Sequence, residues 1–211
     1  MRGARAARAA RVVGLAAVAV LLTSCDGSGP AALACKVDVD TPDLVGDREA
    51  AGIADCTELP TEAGAADLPD ISLHCLGSTA SLSLADVKGP AIINFWSTTC
   101  GPCREEMPVL QQFHERYGDQ VPLLGVNFLD TYPGAAIDFA RMKGVTYPSA
   151  ADACGDLQES DLVLQVLPQF VFVRADGSFE QKAGGIDSLA EIVTMAEDNL
   201  GVRLTDAKRA P

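Results

Sequence analysis

Phe95-Trp96-Ser97-Thr98-Thr99-Cys100-Gly101-Pro102-Cys103-Arg104-Glu105-Glu106-Met107-Pro108 sets two cysteines two residues apart. They stand behind a short apolar run and at the head of a helix-like stretch, which is a specific signal. Ala91 to Trp96 is nearly all apolar, as a buried central strand should be. From Cys103 to Tyr117, the residues Met107, Leu110, Phe113 and Tyr117 recur on one helical face. A helix N-terminus presents unpaired N–H groups and a partial positive charge, so a thiolate placed there is stabilised. That favours Cys100 as the attacking thiol, with Cys103 one turn further in as the resolving thiol. Gly101 keeps the turn slim, Pro102 lacks an N–H that the first turn would leave unpaired, and Trp96 shields one side. Zinc would need two more ligands, and His74, His114 and the scattered cysteines offer no second close pair. Redox chemistry with no metal and no cofactor is expected, and neither histidine is given a role.

Outward from this stretch, strand and helix patterns alternate. Ile71–Leu76 and Ala80–Leu84 flank Gly77-Ser78 and predict a hairpin. Val121–Phe128 reads as a second buried strand, Ala135–Met142 as a helix, Thr146–Ala151 as a short strand and Leu157–Val166 as a short helix. Gln169–Val173 and Ser178–Lys182 straddle Asp176-Gly177, a strong turn signal. Asp187–Leu200 closes as a helix with Ile192, Met195 and Leu200 facing in. The order predicts an α/β protein of thioredoxin-like fold: a central mixed sheet flanked by helices, with an N-terminal hairpin extension.

Trp96 to Pro108 resembles the signature of the TlpA/ResA family of thioredoxin-like proteins, which reads Trp-Ala-x-Trp-Cys-x-x-Cys-Arg-x-Glu-x-Pro. Ser97 and Thr99 replace the usual small residue and second aromatic, leaving a more polar rim. The resemblance covers about Leu68 to Leu204 and implies reduction or exchange of disulfides in exported proteins, apocytochrome c among the substrate classes. It also implies a cis proline at Pro168, after Leu167, beside the redox pair. Asp130 falls where the family places a buried acid, which would raise the resolving thiol's pKa. Glu105 and Glu106 read as solvated residues of the first helical turn. An oxidase acting in the opposite direction fits the same pair. A copper-delivery protein on this fold fits less well, because that family spaces its cysteines by three and carries a late histidine.

The N-terminus has the form of an export signal. Met1–Arg11 holds four arginines and no acid, and Val12–Leu22 is apolar but too short to span comfortably. Leu22-Thr23-Ser24-Cys25 resembles the lipobox of bacterial lipoproteins, which implies acylation of Cys25. Losing the four arginines takes the net charge from −13 to −17, so lipid and not electrostatics would hold the chain at the membrane. The acidity also argues against nucleic acid as a partner. The expected organisation is signal peptide 1–24, flexible tether 25–34, a Cys-bracketed segment and linker 35–67, the thioredoxin-like domain 68–204 and a tail 205–211. The expected place is the extracytoplasmic face of a bacterial cell membrane. There a monomer would meet disulfide-containing exported proteins and a membrane thiol electron donor.

Export permits disulfides. Cys35 and Cys56 bracket a segment too small for its own core, so a Cys35–Cys56 bridge is expected. Cys75 and Cys154 then either pair with each other or stay as free buried thiols.

Overall fold

A computed structural model describes residues 35–206. The expected signal 1–24, the expected acylation site Cys25 and the expected tether 25–34 lie outside the described residues. Seven strands form one mixed sheet: β1 (Ser72–Cys75), β2 (Ser81–Ser83), β3 (Ala91–Trp96), β4 (Leu123–Phe128), β5 (Ser149–Asp152), β6 (Gln169–Val173) and β7 (Phe179–Ala183). Their spatial order is β2-β1-β5-β4-β3-β6-β7. β3, β4 and β5 run parallel, while the hairpins β1–β2 and β6–β7 flank them antiparallel. This is a thioredoxin-like α/β fold, as the element order predicts.

Among the described residues four helices accompany the sheet: α1 (Pro42–Ala51), α2 (Gly101–Tyr117), α3 (Pro133–Met142) and α4 (Leu189–Leu200). Alternation along the strands divides the core in two. Ile92, Trp96, Phe170 and Phe172 face Met107, Leu110, Phe113, Ile137 and Ile192 on the helical side. Ile93, Phe95, Val171 and Val173 face Leu59, Ala66, Leu73, Leu84 and Leu162 on the other. No helix among the described residues is long and apolar enough to cross a membrane.

Two local expectations are corrected and one helix is added. Residues 57–67 do not form a free linker: Glu62 and Ala66 donate to the carbonyls of Asp86 and Ala85, Asp67 donates to that of Gly177, and Leu59 is buried. Residues 157–166 hold only one tight turn, Asp156–Glu159, not a helix. The Asp152 carboxylate accepts the amides of Gly155, Asp156 and Leu157, which fixes a loop in place of a helical turn. Helix α1 did not stand out in the sequence. It begins at an Asp- and Pro-bearing turn capped by Thr41, ends at left-handed Gly52, and buries no residue of its own fully.

The cysteine pairing is also corrected. Cys35 bonds to Cys154 and Cys56 to Cys75, so neither Cys35–Cys56 nor Cys75–Cys154 exists. The tight turn that begins at Cys56 lies against the first hairpin and brings Cys56 within 5.2 Å, Cα to Cα, of Cys75 at the end of β1. Hydrogen bonding of Gly77 N–H to the carbonyl of Val39 carries the chain start across the sheet edge, where Cys35 meets Cys154 just beyond β5. The segment 35–67 is thus stitched into the body instead of being closed on itself.

Candidate active site

β3 ends at Trp96 and delivers the chain into a short loop, after which Cys100 serves as the N-cap of α2. Its Sγ accepts from the Cys103 amide at 3.2 Å, and its carbonyl accepts from Arg104 at 3.2 Å. Cys100 and Cys103 are joined, with Cα atoms 5.3 Å apart. The two sulfurs differ in access: Cys103 is fully buried and Cys100 is half-exposed. An incoming group therefore meets Cys100, and a thiolate there would rest on a helical N–H.

The loop leading to the pair is held by side chains. Ser97 Oγ and Thr99 Oγ1 lie 2.8 Å apart, and Ser97 Oγ also accepts from the Thr99 amide. Asp130, at the end of β4 and 6% exposed, accepts on one oxygen from Thr98 N at 3.0 Å, Thr98 Oγ1 at 2.6 Å and Asn127 Nδ2 at 3.3 Å. Asp130 thus secures the approach to Cys100 from the side of β4. Trp96 is buried in the helical-side core, tilted against Phe139 with ring centres 6.4 Å apart. Gly101 is exposed and a Cβ there would meet nothing within 4 Å, so openness and not a tight fit marks this position.

The peptide bond from Leu167 to Pro168 is cis, as the resemblance implies. Pro168 shares its surroundings with Gly185 and Glu106. Glu106 Oε2, Pro102 Cβ and Pro168 Cγ all lie 3.6 Å from the point where a Cβ on Gly185 would stand.

Glu106 is the residue the sequence reading misplaced. It is fully buried, not solvated, while Glu105 is exposed as expected. Asn94, from the middle of β3, donates to its Oε1 at 2.9 Å, and Oε2 has no protein partner. Burial pushes its carboxyl from an ordinary 4.5 up to about 8, against the lowering effect of the Asn94 hydrogen bond. Three residues after Cys103 on the same helix, Glu106 lies one turn further along the same face. A carboxyl with this pKa can accept and return a proton near neutral pH.

His74 is exposed at the sheet edge near Ser81, and His114 sits on the far part of α2, so neither joins the redox pair. Among the described residues, the one cluster of potential metal ligands is Asp55, Cys56 and Cys75, whose two sulfurs are bonded to each other.

Comparison with known proteins bears on the family and the fold. The model of the AhpC/TSA family matches residues 65–181, more than half of the chain. The thioredoxin-like protein YneN of Bacillus subtilis is 37% identical over 90 residues, which are 41% of this chain and 52% of that protein. The thiol:disulfide interchange protein HelX of Rhodobacter capsulatus is 29% identical over 133 residues, 62% of this chain and 73% of that protein. Among solved structures, a secreted thiol-disulfide isomerase from Corynebacterium glutamicum superposes with a TM-score of 0.54 at 25% identity. It covers 61% of this chain and 82% of its own. The chain spans about half the length of YneN, the relative with the highest of these identities.

Proposed function

From the premise that this chain belongs to the AhpC/TSA family, we propose that it is a thiol–disulfide oxidoreductase working through Cys100 and Cys103. The observation that carries this reading is the asymmetry of the pair: a half-exposed sulfur on the helix N-terminus and a sealed one a turn inside. In the reducing direction, the Cys100 thiolate attacks a substrate disulfide. The substrate's leaving sulfur departs as a thiolate and takes up a proton. The Cys103 thiol then gives its proton to the Glu106 carboxylate and attacks Cys100 Sγ. The second substrate sulfur leaves as a thiolate and takes the proton that Glu106 returns, and two electrons have passed from the Cys100/Cys103 dithiol to the substrate. Pro168, Pro102 and Gly185 border this space, Trp96 backs it from the core, and Asp130 fixes its approach.

The direction proposed is reduction of disulfides in exported proteins, apocytochrome c being the substrate class to try first. Three things support it: the resemblance of Trp96–Pro108 to the TlpA/ResA signature, the interchange activity named for HelX, and a buried carboxyl that can take up and return a proton near neutral pH. The test is trapping. Cys103→Ser should accumulate mixed disulfides through Cys100, and Cys100→Ser should accumulate few. Capture by Cys103 alone would overturn the assignment.

Membrane attachment belongs to the same proposal and rests on Leu22-Thr23-Ser24-Cys25 behind a basic and apolar leader. Mass spectrometry of detergent-extracted protein should find an acyl adduct on an N-terminal Cys25. An unmodified Cys25 thiol would refute the anchor.

A further inference from the structure

The two remaining disulfides are unlike each other. Cys56 and Cys75 are both 0% exposed, whereas Cys35 is exposed and Cys154 half-buried at the rim of a surface cavity of about 390 Å³. Exposed disulfides are the exchangeable ones, because a thiolate must approach along the S–S axis. Cys154 follows β5 at the same end of the parallel strands from which Cys100 follows β3. Two strand spacings, about 10 Å, separate those strand ends.

The loop bearing Cys154 also touches the structure that positions Cys100. Asp152 holds the loop by accepting the amides of residues 155, 156 and 157, and its carbonyl accepts from Leu129 N at 2.9 Å. The Leu129 side chain fills the space that a Cβ on Gly155 would need. Leu129 has φ +52°, an unfavourable backbone for a leucine, so the contact holds it against its own preference. The next residue, Asp130, grips Thr98, two residues before Cys100. A continuous path runs from the outer disulfide to the attacking sulfur.

We propose that Cys35–Cys154 is a second thiol–disulfide exchange site, opened by a dithiol, and that its state alters the reactivity of Cys100 through the 152–157 loop, Leu129 and Asp130. A thiolate of the dithiol bonds to the exposed Cys35 Sγ, and the Cys35–Cys154 bond breaks. Cys154 leaves as a thiolate and takes up a proton. The second thiol of the reductant loses its proton and displaces Cys35, which is protonated in turn. The dithiol ends as a disulfide and the chain gains two thiols, a transfer of two electrons and two protons. The dithiol is external; the reduced Cys100/Cys103 pair of a second copy has the right chemistry. The part played by a second copy and the coupling rest on the proposed function, while the exchange itself does not. Asp38, Asp40, Asp152 and Asp156 line the cavity against a single Lys36, so a small anionic thiolate is repelled and added salt should speed its attack.

The experiment uses the full chain carrying Cys100→Ser and Cys103→Ser, titrated with dithiothreitol, alkylated and mapped by peptide. Cys35–Cys154 should open at a dithiothreitol concentration at least tenfold below that needed for Cys56–Cys75, and faster as salt rises. In the otherwise wild-type chain, Cys35→Ser with Cys154→Ser should change the alkylation rate of reduced Cys100 at least threefold. Leu129→Gly, which removes both the strain and the contact, should make that rate insensitive to the outer pair. Opening together with or after Cys56–Cys75 overturns the proposal, and so does a Cys100 rate unmoved by the double serine variant. Should Cys100 be inert towards disulfides in the trapping assay, the proposed function falls, and the order of opening measured without Cys100 and Cys103 still decides the exchange site.

Discussion

Cys100–Cys103 and Cys56–Cys75 are the same bond in opposite settings. The first sits at a helix start, where the Cys103 amide points at Cys100 Sγ. The second is sealed on the far face of the sheet, with the Asp55 carboxylate 3.2 Å from Cys75 Sγ. A donor beside sulfur stabilises a thiolate; a carboxylate beside it does the reverse. Burial blocks approach as well. What separates an exchanging disulfide from a staple is therefore the charge and access that its neighbours provide, not the cysteines themselves.

The largest way to sharpen that contrast is through Glu106, the acid on the exchanging side. The unfolded chain releases this proton near 4.5 and the folded chain only near 8, so the folded state holds more protons between those values. Stability should fall as pH rises through that window, by at most about 5 kcal/mol. In Glu106→Gln that loss should vanish, so the variant gains on the wild type at pH 9 in urea unfolding. Resolution of a mixed disulfide by Cys103 should also lose its rise with pH near 8. A wild type whose unfolding is flat between pH 5 and pH 9 would show that the burial of Glu106 has no such consequence.

The staple should behave in the opposite way. Cys56→Ala with Cys75→Ala opens a loop whose ends are 19 residues apart, which should cost roughly 3 kcal/mol. Exchange at Cys100 should proceed at its wild-type rate wherever the variant is folded. A loss of exchange in folded protein, monitored by circular dichroism, would erase the distinction between the two regions.

Much of the exchanging region was legible in the sequence, because its signals are local. A buried strand, a Cys-Gly-Pro-Cys turn and an amphipathic helix occupy Ala91–Tyr117 without interruption, and the structure returns them within a residue or two. The cysteine pairing was not legible, because it depends on contacts between distant segments: Cys35 and Cys154 are 119 residues apart. Glu106 stood between these cases. It is three residues after Cys103, four before Leu110 and seven before Phe113, all of them buried. The helical period therefore placed it on the inner face, and a preference for acids in a first helical turn obscured that. Residues 157–166 misled in the other direction, since Leu157 and Leu164, seven residues apart, would share one helical face. The Asp152 carboxylate takes the amides that such a helix would start from, and Leu157 and Leu162 fill the core from a loop.

The smallest effect should come from Asp130. The resemblance gives this acid the task of tuning the resolving thiol, yet one of its oxygens is occupied by Thr98 N, Thr98 Oγ1 and Asn127 Nδ2. Those donors make it a clamp on the loop before Cys100. Asp130→Asn can keep an acceptor in that place but removes the charge that strengthens the bonds. A charged hydrogen bond exceeds a neutral one by about 1 kcal/mol, and part of that is recovered by the amide. The variant should therefore lose about 1–2 kcal/mol, a fall of a few degrees in Tm for a chain of this size. Looser positioning of Thr98 should slow attack by Cys100 only a few-fold. The rise of Cys103 resolution near pH 8 should stay where it is, because that proton belongs to Glu106. If Asp130→Asn moves that midpoint while Glu106→Gln does not, the two acids have been given each other's roles. The sealed carboxyl on α2 would then be a structural residue and the clamp on Thr98 the proton acceptor.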